Sequence, residues 1–212
     1  MYRWEITRRA VAQRVIGIVR SAGAAEATDV ARGMLDAGLR TLEVALTTPD
    51  ALRAIRETIA QAPPDALVGA GTVLDEAAAR AAVEAGARFL VSPSLHPEVI
   101  RTGHRYGVPV IPGAASPTEI VRALELGADA VKLFPASAFG PGWLRDVRAA
   151  LPQAPLVPTG GVTADTAPEW IAAGAVACGM GSALTSGGPG ETRERVRNLL
   201  AALREAAGPA AE

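Results

Sequence analysis

Short apolar runs rich in β-forming residues recur at regular intervals along this 212-residue chain, and they constrain its fold more than any other feature. The eight runs are Val15–Arg20, Thr41–Leu46, Ala66–Ala70, Phe89–Ser92, Val108–Pro112, Ala130–Pro135, Pro155–Thr159 and Ala175–Gly179. Between most of them lie stretches rich in Ala, Glu and Arg with helical spacing, such as Glu26–Ala37, Asp50–Ala60, Asp75–Ala85 and Thr118–Leu126. Strict alternation of strands and helices predicts an α/β fold with a parallel sheet.

Two closures of such a sheet compete, a doubly wound open sheet and a (β/α)8 TIM barrel. Gly-rich turns follow the third, seventh and eighth runs, whereas the first turn, 20–23, lacks the GxGxxG nucleotide fingerprint. We therefore favour the barrel, as a single compact domain over residues 1–212. We expect the C-terminal tail 206–212 to fray.

The composition excludes several classes of protein. Hydrophobic residues make up 49% of the chain and charged residues 20%, so a sizeable core is available and a disordered polymer is excluded. A net charge of −1 argues against a nucleic-acid partner or a membrane-surface protein. The single cysteine, the lack of a signal-like start and the lack of a membrane-spanning apolar run predict a cytoplasmic protein.

Two of the apolar runs contain a charged residue where a parallel strand should be apolar. In TLEVAL, Leu42 and Val44 share one face with Leu46, so Glu43 points to the opposite face. In AVKLFP, Lys132 is likewise opposite to its apolar neighbours. Both runs are even-numbered, and alternate barrel strands contribute to one side-chain layer, so Lys132 and Glu43 are expected to meet inside the barrel.

Such a pair has a structural and a catalytic interpretation. A buried salt bridge is the structural one, although it is often no more stable than an apolar replacement. The chain has 20 Arg and a single Lys, Lys132, which suggests a need for amine chemistry. Arg cannot deprotonate in a protein, whereas a partly desolvated Lys can act as a neutral nucleophile. We favour the catalytic interpretation.

The Gly-rich ends of the last two runs form a second candidate site. At the end of the seventh run stands Pro158-Thr159-Gly160-Gly161, and at the end of the eighth stands Gly179-Met180-Gly181-Ser182. In a TIM barrel these two loops commonly bind phosphate through backbone N–H groups, with glycine allowing close approach of the oxyanion. The alternative is that the glycines merely make tight turns.

These residues together resemble the 2-keto-3-deoxy-6-phosphogluconate (KDPG) aldolase and 4-hydroxy-2-oxoglutarate aldolase family. The motifs that carry the resemblance, in order, are GIVR, LEVALTTPDA, GAGTVL, VSPSLHPEVI, IPGAASPTE, AVKLFPA, PTGG and MGSAL, over about residues 10–190. The resemblance implies a class I aldolase on a (β/α)8 barrel, usually a homotrimer. It implies cleavage of KDPG to pyruvate and glyceraldehyde 3-phosphate, without a cofactor.

The resemblance also implies roles for individual residues. Lys132 would be the Schiff-base lysine and Glu43 the general acid/base. The pyruvate end would be lined by Thr72 and Pro93, with Phe134 beside the lysine. The phosphate would be held by Gly160, Gly161 and Ser182 together with the Gly181 turn, and Thr159 would reach the substrate hydroxyls.

One position departs from the best-known branch of that family, whose members carry an arginine four residues after the glutamate. Thr47 stands there in this chain. Other members resemble this chain in having Thr after the glutamate and an arginine at the end of the first strand, here Arg20. We therefore place Thr47 among the substrate-binding candidates and assign anion binding to Arg20.

The exact reaction stays open at this point. PTGG resembles the gluconate-type enzymes, whereas SAFGP and the 163–170 region also resemble galactonate-type enzymes, and 4-hydroxy-2-oxoglutarate is a further candidate substrate. A phosphometabolite isomerase or synthase on the same barrel, with a purely electrostatic Lys132, is the alternative from another class. The two histidines, His96 and His104, have no partners at metal-ligand spacing, so no metal is expected.

Overall fold

A computed structural model describes residues 1–186 and 189–206, in which strands and helices alternate. The strands are β1 Val15–Val19, β2 Thr41–Ala45, β3 Leu67–Gly71, β4 Leu90–Val91, β5 Val110–Ile111, β6 Gly113–Ala114, β7 Val131–Leu133, β8 Leu156–Pro158 and β9 Cys178–Met180. The helices are α1 Arg3–Val11, α2 Ala24–Asp36, α3 Ala51–Gln61, α4 Glu76–Glu84, α5 Pro97–Arg105, α6 Pro117–Glu125, α7 Pro141–Ala150, α8 Ala167–Ala172, α9 Ser182–Thr185 and α10 Pro189–Ala206, with a 3₁₀ turn at Ala136–Ala138. The α/β alternation is confirmed.

The strands are parallel, as predicted, but they form two sheets in the described part of the chain. One sheet has the order β5-β4-β3-β2-β1-β9, and the other has the order β6-β7-β8. Pro112 separates β5 from β6, and proline has no N–H to continue a ladder. The predicted run Val108–Pro112 therefore stops at Ile111, and a second short segment begins at Gly113.

Backbone hydrogen bonds link the two sheets at both junctions. Next to β5 and β6, Asp129 N donates to Val110 O (3.1 Å) and Lys132 N donates to Pro112 O (2.9 Å). Between β8 and β9, Val176 N donates to Leu156 O (3.0 Å), and Thr159 and Gly179 form a parallel bridge. The strand ends on either side of each junction are therefore neighbours.

The buried apolar residues form two clusters that follow the alternation of side chains along the strands. Leu42, Val44, Val131 and Leu133 belong to the larger cluster, in which strands pack against helices. The second cluster draws on both sheets and on α1, through Ile6, Ala10, Ile16, Leu67, Phe89, Val91, Ile111, Ala130, Val157 and Ala177. Glu43 and Lys132 therefore lie on the strand faces that point away from the helices.

Helix α1 is absent from the elements that the apolar runs predict, because its sequence RWEITRRAV is rich in charged residues. Its apolar residues Ile6 and Ala10 are four apart and join the second cluster, and several other members of that cluster stand at the beginnings of strands. The helix thus covers the amino-terminal ends of strands.

At the other terminus, α10 ends at Ala206, and the rest of the tail predicted to fray, 207–212, lies outside the described residues. Among the helices of the described ranges, none combines the length and the apolar character needed to cross a membrane.

Candidate active site

Lys132 and Glu43 are brought together from different sheets. Glu43 is the central residue of β2 and is 2% exposed, and Lys132 is the central residue of β7 and is 7% exposed. Both line a small enclosed space of about 10 Å³. Its other lining residues are Ile16, Ile18, Val91, Ile111, Val157, Thr159 and Gly179. An acid and an amine thus face the same nearly closed, mainly apolar space.

The two charged groups are close in this space but do not form a closed salt bridge. Within the described ranges, neither side chain makes a hydrogen bond or an ion pair shorter than 4.0 Å. The Lys132 amine lies 4.9 Å from the centroid of the Phe134 ring. The pair therefore differs from the structural salt bridge that was the alternative interpretation, because the carboxyl and the amine are not bonded to each other.

The environment of Glu43 favours its protonated form. Desolvation by burial raises the pKa of this carboxyl above its ordinary value, and the positive charges of Lys132 and Arg20 only partly counteract that effect. A carboxyl with a raised pKa can both donate and accept a proton closer to neutral pH. Glu43 is thus suited to acid/base chemistry.

An open cavity of about 610 Å³ lies next to the enclosed space, and Lys132 lines both. The other sequence-predicted site residues on its wall are Arg20, Thr72, Pro93, Phe134, Thr159, Gly160, Gly161, Gly181 and Ser182. The structure therefore gathers nearly all of the predicted substrate-binding residues around one lysine. Glu43 lines the enclosed space and is not among the described residues on the wall of the open cavity.

The Gly-rich turn after β8 needs glycine for conformation and for space. Gly160 and Gly161 both have φ of 86°, a conformation that L-residues with a side chain rarely adopt. A Cβ on Gly161 would lie 2.7 Å from Ser137 Cβ, and one on Gly160 would lie 3.1 Å from the Phe134 ring. The turn is thus held close to the segment after Lys132, and its backbone lines the cavity.

Thr72, at the carboxyl end of β3, has an unusual backbone. Its φ is 59°, in the left-handed region that a β-branched residue seldom occupies. Such outliers cluster at functional sites, where surrounding structure holds them in place. The next residue, Val73, donates its N–H to Val91 O (3.1 Å), which fixes the segment against β4.

Thr47 is the predicted site residue that the structure places elsewhere. It is exposed and lines a separate surface groove with Arg53 and Arg56 of α3. Beyond the end of β2 the chain turns, so the strand alternation no longer determines the direction of its side chains. Thr48 is buried instead, and its hydroxyl accepts a hydrogen bond from Ser21 N (3.3 Å), next to Arg20.

Sequence reasoning missed some of the residues that line the cavity. Ile18, Val162, Thr163, Ala183 and Ser186 also line the cavity. Ile18 lies within β1, and the other four lie in the segments that follow β8 and β9.

His104 is a residue outside the cavity that makes a buried contact. It lies on α5 but is partly buried, and its Nε2 is 3.1 Å from Asp129 Oδ2. Cys178 is buried in β9, and burial raises the pKa of its thiol to about 12.

Each of the comparisons with known proteins finds aldolases of related keto acids. A family model described as KDPG and KHG aldolase matches residues 6–197. The chain is 37% identical over 195 residues to the "2-dehydro-3-deoxy-6-phosphogalactonate aldolase" of Escherichia coli (strain K12), covering 91% of this chain and 95% of that protein. It is 43% identical over 172 residues to the "2-dehydro-3-deoxy-phosphogluconate aldolase" of Treponema pallidum (strain Nichols), covering 78% of this chain and 80% of that protein.

One similar solved structure holds a covalent reaction intermediate. It is described as KDPG aldolase from Legionella pneumophila with pyruvate captured at low pH as a covalent carbinolamine intermediate. The match has a TM-score of 0.79 and 28% identity, and it covers 97% of this chain and 98% of that one.

Proposed function

Because this chain belongs to the KDPG and KHG aldolase family, we propose that it is a class I aldolase that cleaves a phosphorylated 2-keto-3-deoxy sugar acid to pyruvate and glyceraldehyde 3-phosphate. The observation that carries the proposal is the placement of Lys132. Its amine lines an open cavity on one side and, on the other, the enclosed space that also holds Glu43. A non-covalent isomerase or synthase would not require that arrangement.

In the proposed reaction, the neutral amine of Lys132 attacks the C2 ketone of the substrate and forms a carbinolamine. Glu43, directly or through a water, donates a proton to the departing hydroxyl, water leaves, and a protonated imine forms. Glu43, now ionised, accepts the proton of the C4 hydroxyl as the C3–C4 bond breaks. The electrons of that bond move into the imine, which leaves an enamine of pyruvate and releases the aldehyde.

The second half of the cycle returns the enzyme to its starting state. Protonation of the enamine at C3 restores the imine, and the attack of water then releases pyruvate and the free lysine. Glu43 supplies the C3 proton that it took from the C4 hydroxyl, so no external acid is consumed. The raised pKa of its carboxyl supports this alternation between acid and base.

The remaining residues are proposed to bind the two ends of the substrate. Gly160, Gly161 and Gly181 would offer backbone N–H groups to the phosphate, and the Ser182 hydroxyl would add one hydrogen bond. Their position on the wall of the Lys132 cavity supports this role.

The pyruvate end would be bound by a second group, with Arg20 pairing with the carboxylate and Thr72, Pro93 and Phe134 lining the wall beside Lys132. Thr159 would contact the substrate hydroxyls between the two ends. Binding both ends would orient the C3–C4 bond, which can lower the barrier by several kcal/mol.

The epimer of the sugar acid is the open part of the substrate assignment. We propose the gluconate form, because Thr159 and the PTGG turn resemble the gluconate-type enzymes. The relatives that match include one named for each epimer, at 43% and 37% identity. Shorter 4-hydroxy-2-oxo acids are the third candidate substrates.

The proposal extends to the architecture. We infer that the two sheets close into an eight-stranded (β/α)8 barrel within one domain, with β5 and β6 as two halves of one strand. The hydrogen bonds at the β5–β6 and β8–β9 junctions support this closure. A homotrimer in the cytoplasm is the proposed working form, in keeping with the family resemblance and with the buried, unpaired Cys178.

Trapping with borohydride tests the proposed function. The protein is incubated with pyruvate, reduced, and examined by intact mass and peptide mapping, and we expect one pyruvyl modification at Lys132. The Lys132→Arg variant keeps the charge and should show neither the adduct nor turnover. An unmodified Lys132 at saturating pyruvate, or turnover by the Arg variant, would contradict the proposal. Parallel assays of both epimeric substrates identify the preferred one.

A further inference from the structure

Strand β3 has almost no side chains on the face that points away from the helices. Its sequence is LVGAG, and Val68 and Ala70 belong to the cluster that packs against helices. Gly69 and Gly71 therefore occupy the opposite face, after Leu67 at the start of the strand. A strand with two glycines on one face leaves a trough there.

Neighbours on both sides fill this trough. A Cβ on Gly69 would lie 2.6 Å from Cζ of the Phe89 ring. A Cβ on Gly71 would lie 2.7 Å from Glu43 Cδ and 3.3 Å from Glu43 Cγ. Real Cβ atoms essentially never approach another heavy atom that closely. The carboxyl group of Glu43 thus occupies the volume that a side chain at position 71 would need.

The register of the sheet explains why Gly71 receives this group. Glu43 is paired with Gly69, and Ala45 is paired with Gly71. The Glu43 side chain therefore extends along the strand direction by two residues and ends at the level of Gly71. The space that it shares with Lys132 is only about 10 Å³, so the carboxyl has little room to move aside.

We propose that Gly71 is a positioning residue for the reaction, which acts by leaving the place on β3 against which the Glu43 carboxyl lies. The proposal rests on the function proposed above, in which Glu43 moves protons for the Lys132 adduct. Gly71 also lies in the GAGT motif, directly before Thr72. It would contribute no chemical group of its own.

Gly71→Ala tests the proposal, with Gly17→Ala as the matched control. A Cβ on Gly17 would likewise lie 2.7 Å from a side-chain carbon, Leu39 Cδ2, but this contact is in the layer between β1 and the helices. We expect Gly71→Ala to lower the kcat of cleavage by about 10²-fold with a smaller change in KM.

We also expect the acidic limb of the pH–rate profile of Gly71→Ala to move to lower pH, because the methyl group displaces the Glu43 carboxyl from its buried place. Gly17→Ala should keep the wild-type profile.

A double-mutant cycle separates positioning from general damage. In a Glu43→Gln background, where the proton-transferring group is already removed, Gly71→Ala should change kcat by no more than about twofold. An equal loss in both backgrounds would overturn the proposal, and so would a Gly71→Ala enzyme with wild-type kcat and pH profile. If Gly71→Ala fails to fold, the Glu43→Asp/Gly71→Ala pair decides, because the shorter acid should restore folding only if the Glu43 carboxyl is the obstacle.

Failure of this proposal is distinguishable from failure of the proposed function. If the wild-type protein forms no pyruvyl adduct at Lys132, the aldolase assignment itself is wrong. If the wild-type protein forms the adduct and cleaves substrate, but Gly71→Ala behaves like Gly17→Ala, only the positioning role is wrong.

Discussion

Among the described residues, buried ionisable side chains have partners on one side of the strands and lack them on the other. At the amino-terminal side, Asp129 precedes β7 and is bonded by three donors: Arg3 Nε at 2.9 Å, His104 Nε2 at 3.1 Å and Val110 N at 3.0 Å. Toward the carboxyl ends, Glu43 and Lys132 are more than nine-tenths buried, yet within the described ranges neither makes such a bond.

This difference separates a structural role from a functional one. A buried ionisable group that keeps its partners is compatible with a structural role, because removing a partner is costly, whereas a buried ionisable group without partners costs free energy and is found most often where a reaction needs it. Helix α1 covers the amino-terminal ends of the strands and packs there in an apolar cluster, whereas the open cavity lies at the other ends. This arrangement agrees with a structural role for the amino-terminal side and a functional role for the other. Variants at the two ends should therefore separate stability from turnover.

Glu43→Gln is the sharpest test and has the largest expected effect. The variant removes the proton-transferring group but keeps its shape, so we expect cleavage to fall by about 10²-fold or more while the pyruvate adduct still forms slowly. Borohydride trapping and steady-state assays measure the two steps separately. A wild-type kcat in this variant would contradict the proposed role of Glu43 in proton transfer.

The same variant should be more stable than the wild type at neutral pH. The pKa of Glu43 is raised in the folded state above its ordinary value of 4.5. Above pH 4.5 the unfolded chain therefore loses the Glu43 proton more readily than the folded protein does, and the folded state becomes less stable as the pH rises. Gln does not ionise, so the variant avoids this loss. The gain should shrink as the pH falls towards 4.5, which urea unfolding at several pH values would show. Glu125→Gln, at an exposed ion pair with Arg122, should change neither property measurably.

Much of the fold could be predicted because its determinants are local. Period-two alternation predicts strands, and glycine predicts the ends of the preceding helices: Gly38, Gly86, Gly107, Gly127 and Gly174 all have positive φ, at helix ends. The break after Ile111 has a local signal in Pro112, but the division into two sheets depends on which hydrogen bonds form between short segments, and no local pattern encodes that. Helix α1 had a signal in the spacing of Ile6 and Ala10, which was overlooked.

The candidate site was predictable to the extent that its chemistry is visible in side chains. Lys132 and Glu43 are conspicuous because they are charged residues in apolar runs. Their surroundings are not visible in the sequence. Glu43 faces an enclosed space, and the open cavity lies on the other side of Lys132, because of how side chains from both sheets pack. Gly71 could not be recognised, because a missing side chain shows its purpose only when its neighbours are placed.

Asp129→Ala tests the amino-terminal side of the comparison. The substitution leaves the Val110 N–H without its acceptor and removes the partner of Arg3 and His104, so we expect a loss of about 2 kcal/mol in the free energy of unfolding. The kcat and KM for cleavage should stay at wild-type values, measured below the unfolding transition. The control is Asp65→Ala, because Asp65 pairs with Arg40 at the same 2.9 Å distance but is 63% exposed, so its loss should be a few tenths of a kcal/mol. Equal losses in the two variants would contradict the structural role of Asp129.

Thr72→Asn has the smallest expected effect. It tests whether the strained backbone at the carboxyl end of β3 has a different role from the strained backbone of Arg14, before β1. Asn tolerates the left-handed region better than a β-branched residue, so we expect a gain in stability of about 1 kcal/mol, accompanied by a roughly tenfold loss in kcat/KM because the side chain lines the cavity. The matched variant is Arg14→Asn, because Arg14 has φ of 60° in the segment between α1 and β1, away from the cavity. Arg14→Asn should relieve backbone strain with no change in kcat/KM. If both variants lost activity equally, the strain at Thr72 would have no particular connection with the site, and the contrast between the two ends would rest on the charged groups alone.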